Sequence, residues 1–225
     1  EAKPEPMVIP VIPAEAEVRA ACAEFVGELM QTPPIYSAIW VDGERSYDLA
    51  RKGEGVALAS RPVSIYSIDV VAYEWPRLTI DVRCGKGTYI RTLADDLGRR
   101  LGCGGHLAAL RRTAVGPFDI EEAISLERLE AAFADGAWQE LLLPLDYGLG
   151  HIPAAYLEME AEKDVRHGCP LAGESPAFQR LQGAEDGQRC RAYGEDGSFV
   201  GILRYDGGAS LWRPQKVFIT ARPNV

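Results

Sequence analysis

A lysine sits between two glycines in Gly85-Lys86-Gly87-Thr88, and Tyr89 and Arg91 follow within four residues. These are the groups that hold anions and lie flat against rings. From Arg83 to Arg112 the cations Arg83, Lys86, Arg91, Arg99, Arg100, Arg111 and Arg112 face only Asp95 and Asp96, a local charge of about +5 in a chain whose net charge is −9. A basic island in an acidic protein points to a focused anionic ligand and argues against indiscriminate coating of nucleic acid. The flanks sharpen the contrast. Residues 1–44 hold eight acids and two bases, and residues 113–149 hold eight acids and one base.

The elements that would position these groups can be read from periodicity. Val18, Cys22, Phe25, Val26 and Leu29 keep helical spacing, predicting a helix that runs to about Gln31 before Pro33-Pro34. Asp42-Gly43 marks a tight turn between short extended pieces, and Ser46 can cap a short helix through Tyr47, Leu49 and Ala50. Val63 to Val71 and Leu78 to Val82 read as strands on either side of Trp75-Pro76, a hairpin. Its second strand delivers the chain to the Gly85 turn. Then the period changes: Ile90, Leu93, Ala94, Leu97 and Leu101 lie on one helical face, Thr88 is the expected N-cap and Gly102 the stop. A strand, a glycine turn and a helix start in succession present free N–H groups and a positive dipole end. A short strand is expected over Leu107 to Phe118, then a helix from Ser125 through Leu126, Leu129 and Phe133 to Gly136. Beyond Gly150, short β-rich runs separated by Asp196-Gly197 and Asp206-Gly207-Gly208 predict a small β module.

Several chemistries fit poorly. A phosphate-binding loop needs glycine, four residues, then Gly-Lys-Ser/Thr, whereas Lys86 is followed by Gly87. His106, His151 and His167 lack ligand spacing, which favours a structural His106. Asp95 and Asp96 are adjacent on a helix and point about 100° apart, so they do not share a site. Five scattered cysteines without a C-x-x-C pair suggest reduced thiols in a cytoplasmic protein. No apolar run reaches the roughly 20 residues of a membrane helix. Arg91 stays open on the residues alone. It either pairs at the surface with Asp95, worth roughly a few tenths of a kcal/mol, or meets an anionic partner that offsets the helix dipole.

Four stretches together resemble the bacterial tRNA pseudouridine synthase family that modifies uridine 55 of the T-arm. They are QTPPIYSAIWVDGERSYDLARKGE, RPVSIYSIDVV, CGKGTYIRTLADDLGRRLGCGGHLAALRRTAVGPF and LRYDGGASLWRPQKVF. The resemblance implies an α+β protein, with a mixed-sheet catalytic domain over residues 1–149 and a small PUA-like RNA-binding domain over 150–225. It implies a cofactor-free isomerisation in which an aspartate attacks the target nucleotide, the N-glycosidic bond breaks, and the uracil turns and rejoins through C5. The base must leave the RNA stack to be reached. By the same resemblance Tyr89 lines the flipped-base pocket, Arg91 pairs with the catalytic aspartate, and Leu110 supplies an apolar wall. Lys86, Arg111 and Arg112 contact RNA backbone. The expected partner is the tRNA T-arm, with no membrane, no metal and no small-molecule cofactor, for a protein expected to be a monomer.

Two departures accompany the resemblance. The family's aspartate lies in a Gly-x-Leu-Asp-Pro-x-Ala-Thr-Gly motif that these 225 residues do not contain, so the polypeptide alone is expected to be inactive. Trp40 stands where relatives usually have lysine after Tyr-Ser-Ala-x, which predicts a lost positive RNA contact. The chain is therefore expected to be the C-terminal part of an intact synthase. The alternative is a non-catalytic tRNA-binding or folding-helper protein of the same fold, and a metabolic nucleotide enzyme is a third, weaker class.

Overall fold

A computed structural model describes residues 12–37, 39–41, 43–51 and 58–218, which form two compact units, 1–111 and 112–225. The class is α+β. In the first unit, helix α1 (Glu15–Glu24) precedes strand β1 (Gly27–Gln31). A two-residue hairpin, β2 (Trp40–Val41) with β3 (Glu44–Arg45), leads into helix α2 (Ser46–Arg51). The long β4 (Arg61–Glu74) and β5 (Arg77–Cys84) form the hairpin expected around Trp75-Pro76, and helix α3 (Ile90–Arg100) follows. The sheet order is β1-β4-β5, antiparallel throughout.

Burial explains this arrangement. Val18, Ala21 and Cys22 of α1 pack with Leu97 of α3, and Ile68, Val70, Tyr73, Leu78 and Ile80 of the hairpin close the cluster. The Tyr73 hydroxyl donates to the Pro13 carbonyl at 2.6 Å, satisfying a polar atom at the rim of that core.

The sequence overextends α1. Its helix stops at Glu24, and residues 27–31 form a strand whose register sets Gly27 opposite Ile65 and Gln31 opposite Arg61. Gly27 has φ +122°, a conformation that side-chain-bearing residues rarely adopt, so the helix cannot continue through it. Ser46 is also reassigned. It is fully buried, and its hydroxyl donates to the Ile35 carbonyl at 2.5 Å, so it fastens the preceding loop and does not cap α2. Asp42 lies outside the described residues. The strand expected from Leu107 to Phe118 shrinks to β6 (Ala114–Val115) paired with β7 (Phe118–Asp119), and residues 103–113 are irregular.

In the second unit, α4 (Leu126–Ala134) starts where expected, with the Ser125 hydroxyl accepting from the Arg128 N–H at 3.2 Å. The β-rich module then appears as one sheet. Its strands β8 (Ala154–Tyr156), β9 (Leu171–Ala172), β10 (Arg189–Tyr193), β11 (Phe199–Asp206) and β12 (Leu211–Val217) lie in the order β8-β10-β11-β12-β9. The β8–β10 pair is parallel and the others antiparallel, so this sheet is mixed. Trp212 stacks on Phe178 at 5.0 Å, and Val200, Leu203, Cys190 and Val165 of α5 (Met159–Arg166) complete a dry core. The compact-unit division falls at Arg111–Arg112, so residues 112–150 belong to the second unit.

One polar knot joins the segment before the sheet to β10. The Arg191 guanidinium donates to the Asp146 carboxylate at 3.3 Å, to the Tyr193 hydroxyl at 2.8 Å and to the Ile152 carbonyl at 2.8 Å, and the Tyr193 hydroxyl donates to Asp146. The Tyr193 hydrogen bond, helped by Arg191, holds the Asp146 carboxyl below the usual carboxylate range. Burial, then the bond to Asp146, pushes the Tyr193 phenol up to about 12. An unfolded tyrosine titrates near about 10, so this stabilisation is whole below that pH and is lost as pH rises toward about 12. Asp146 works in the opposite direction, losing its share as pH falls through its depressed range. Tyr193→Phe should therefore flatten the alkaline decline in melting temperature measured by circular dichroism above about pH 10. An unchanged slope would show that the knot is not formed.

Candidate functional site

The start of α3 is built by backbone chemistry. The Gly85 N–H donates to the Ser64 carbonyl at 2.8 Å, fastening the glycine turn to β4. Thr88 was expected to cap the helix, but its hydroxyl turns back to donate to the Gly85 carbonyl at 3.1 Å, and the N-cap is Tyr89, without a side-chain cap of its own. The missing acceptor comes from 58 residues earlier. The Gln31 carboxamide oxygen accepts from the Tyr89 N–H at 2.7 Å, and its amide nitrogen donates to the Tyr89 carbonyl at 3.1 Å. Gln31 closes β1 and is only 6% exposed.

Arg91 is exposed, and one N–H of its guanidinium donates to the Tyr36 carbonyl at 2.8 Å. The surface pairing with Asp95 does not form, because Asp95 is taken by Arg99 at 2.7 Å. Arg100 engages Glu24 of α1 through two bonds of 2.7 and 2.5 Å, which draws the Glu24 carboxyl below its ordinary range. The basic island therefore divides. Arg99 and Arg100 are spent on surface ion pairs, each worth at most about 1 kcal/mol. Among the described residues, Arg83, Lys86, Arg91, Arg111 and Arg112 have no carboxylate partner.

Four other expected site residues, Lys86, Leu110, Arg111 and Arg112, are exposed. Lys86 is exposed in the glycine turn. Leu110 is 62% exposed on the irregular run after α3, and Arg111 next to it is exposed as well. Arg112 is the exposed first residue of the second unit. His106, expected to be structural, is exposed. Burial pushes the Asp96 carboxyl up, aided by its neighbour Asp95, while Asp95 itself points to Arg99. At the β2–β3 hairpin Trp40 is 64% exposed, and the Arg45 guanidinium lies 5.5 Å from its ring centroid. Among the described residues, no cluster of His, Cys, Asp and Glu could hold a metal ion, and no helix is long and apolar enough to cross a membrane.

Gln31 is the residue that sequence reasoning missed. Its position, an amide immediately ahead of Thr-Pro-Pro, fits the tail of a helix in the sequence. Only the pairing of β1 with β4 turns that side chain toward Tyr89.

Comparison with known proteins bears on the same residues. The family description "TruB family pseudouridylate synthase (N terminal domain)" matches residues 8–90, and "tRNA pseudouridylate synthase B C-terminal domain" matches 91–150. Proteins named tRNA pseudouridine synthase B from Aromatoleum aromaticum and Burkholderia mallei are 42% and 40% identical over 202 and 206 residues. These alignments take in 90% and 92% of this chain, but 62% and 67% of the relatives, so the chain spans about two thirds of their length. A solved Cbf5-Nop10-Gar1 complex superimposes with TM-score 0.72 at 24% identity, over 93% of this chain and 63% of the other. An H/ACA RNP bound to a substrate RNA containing 2′-deoxyuridine superimposes with TM-score 0.69 at 24% identity, over 93% of this chain and 62% of the other. The fold is shared with both. On the two matched domains and the identity to those synthases, the chain belongs to the TruB family of pseudouridylate synthases.

Proposed function

We propose that this chain is the larger part of a tRNA pseudouridine synthase that isomerises the T-arm uridine by flipping it out of the stack. The observation that supports this most directly is Arg91. It is an exposed guanidinium on the first turn of α3, unmatched by any carboxylate among the described residues and held toward its neighbours by a single carbonyl. A cation is disfavoured at a helix N-terminus unless an anion faces it. In this reading the anion is the aspartate of the family's Gly-x-Leu-Asp-Pro motif, which Arg91 keeps ionised and oriented. Tyr89 lines the pocket for the flipped base and Leu110 forms an apolar wall. The exposed cations Lys86, Arg111 and Arg112 meet phosphates. The relatives' name and the substrate RNA of the second solved structure agree with an RNA substrate.

The synthase domain in this reading ends near residue 149, and residues 150–225 form a PUA-like RNA-binding module. Its support is that the second family match stops at residue 150 and that the dry core of the five-stranded sheet lies wholly beyond it. The protein would act as a cytoplasmic monomer.

The test is pseudouridine formation in a T-arm RNA. It is assayed with this chain alone and with a segment carrying the family's Gly-x-Leu-Asp-Pro-x-Ala-Thr-Gly motif joined ahead of it. Turnover is expected only from the joined form. RNA binding without turnover by either would favour a binding or folding-helper protein. Lys86→Ala should weaken RNA binding and reduce the slope of log affinity against log salt by about 1, as one phosphate contact is lost. An unchanged slope would remove Lys86 from the RNA interface.

A further inference from the structure

We propose that Gln31 is a positioning residue for the flipped-base pocket, an inference that rests on the function proposed above. The first N–H groups of a helix have no partner within it, and the N-cap residue of α3 brings no side-chain acceptor. Gln31 supplies one from another strand and also uses its amide nitrogen on the carbonyl of the same residue, at 2.7 and 3.1 Å. A residue held at both backbone groups has its peptide planes restrained, so Gln31 fixes the Cα–Cβ bond from which the Tyr89 side chain departs. Arg91, one turn-fraction further along, inherits that frame. The same segment reaches α3 twice more. The Thr92 hydroxyl donates to the Thr32 carbonyl at 3.4 Å, and Arg91 donates to the Tyr36 carbonyl at 2.8 Å.

The residue type matters because a carboxamide offers one donor face and one acceptor face on a single planar head. Ionised glutamate keeps the acceptor for the Tyr89 N–H but turns a second acceptor on the Tyr89 carbonyl. Protonated glutamate restores the donor, so Gln31→Glu carries its own rescue. Gln31→Leu keeps much of the volume and removes both bonds.

The experiment uses the chain as it stands and a T-arm hairpin RNA with 2-aminopurine beside the target uridine. Anisotropy reads affinity, brightening of the 2-aminopurine reads unstacking, and circular dichroism confirms that each variant is folded. Gln31→Leu should bind within about threefold of wild type while its brightening falls at least about tenfold, the factor that one lost hydrogen bond gives, since leucine removes two. Gln31→Glu should be dim near about pH 8 and regain brightening as pH falls toward about 4.5, because burial and the facing Tyr89 carbonyl raise its carboxyl above the ordinary glutamate range of about 4.3, while wild type changes little. Undiminished brightening in Gln31→Leu, a parallel fall in affinity and brightening, or no recovery of Gln31→Glu with falling pH would each overturn the proposal. If leucine prevents folding, the glutamate pH series decides alone. Wild type that binds no RNA counts against the proposed function itself. Wild type that binds without brightening counts against the pocket, and the role of Gln31 goes with it.

Discussion

Gly98→Ala should destabilise the first unit by about 3 kcal/mol, the upper part of the range for forcing atoms into packed structure. Gly98 is buried on α3, and a Cβ placed there would lie 2.2 Å from the Gly104 carbonyl carbon and 2.2 Å from the Gly105 nitrogen. Those neighbours are backbone, so no side chain can swing aside. The contact is mutual, since a Cβ on Gly105 would lie 3.2 Å from the Gly98 Cα and 2.4 Å from the Ala94 carbonyl oxygen of the same helix. It is also bonded: the Gly98 carbonyl accepts from the Cys103 N–H at 3.1 Å and the Gly104 N–H at 3.0 Å. The Gly-Cys-Gly-Gly loop is therefore laid on the helix that presents Leu93 and Leu97 to the core. Gly102→Ala is the control. Nothing lies within 4 Å of its added Cβ, and its cost comes only from φ +71°, about 1 kcal/mol. Urea midpoints of the two variants should separate clearly. Equal midpoints would show that the loop does not lie on α3.

That contact was only half legible in the sequence. The run from Ile90 to Leu101 announces its helix by spacing, and Gly102 its end, because both signals are local. The reason for the further glycines is not local, since it is the distance between two backbones. The same division holds across the molecule. The β4–β5 hairpin could be read from alternation and its Trp-Pro break, and Ser125 from its place before an apolar helix. Residues 27–31 could not, because Leu29 fits a helical face as well as a strand, and the choice is made by β4 far along the chain. Arg100 counts toward the basic island in the sequence, and only its bond to Glu24, 76 residues away, assigns it to a surface ion pair. Thr88 has the right chemistry for a cap but donates back to the Gly85 carbonyl, and the Tyr89 N–H is answered by Gln31 from a distant strand. Local rules identified the elements and the residues at their ends. Which polar group answers which was decided by pairing in space.

Arg91→Ala should reduce turnover by about 10² to 10³-fold, the loss seen when one preorganised donor to a reacting charge is removed. The measurement needs the joined form that carries the family aspartate. One guanidinium N–H is given to the Tyr36 carbonyl at 2.8 Å, and a guanidinium has about five, so most remain for a carboxylate. RNA affinity should move far less, within about threefold, because an exposed cation facing a carboxylate adds little to phosphate binding. Lys86→Ala should show the reverse pattern, weaker binding with turnover at saturating RNA nearly intact. The contrast between the two variants separates a cation that holds the attacking carboxylate from one that meets the RNA backbone. Equal losses of turnover and affinity in Arg91→Ala would make it one more phosphate contact, and the α3 N-terminus would then have no role in the chemistry.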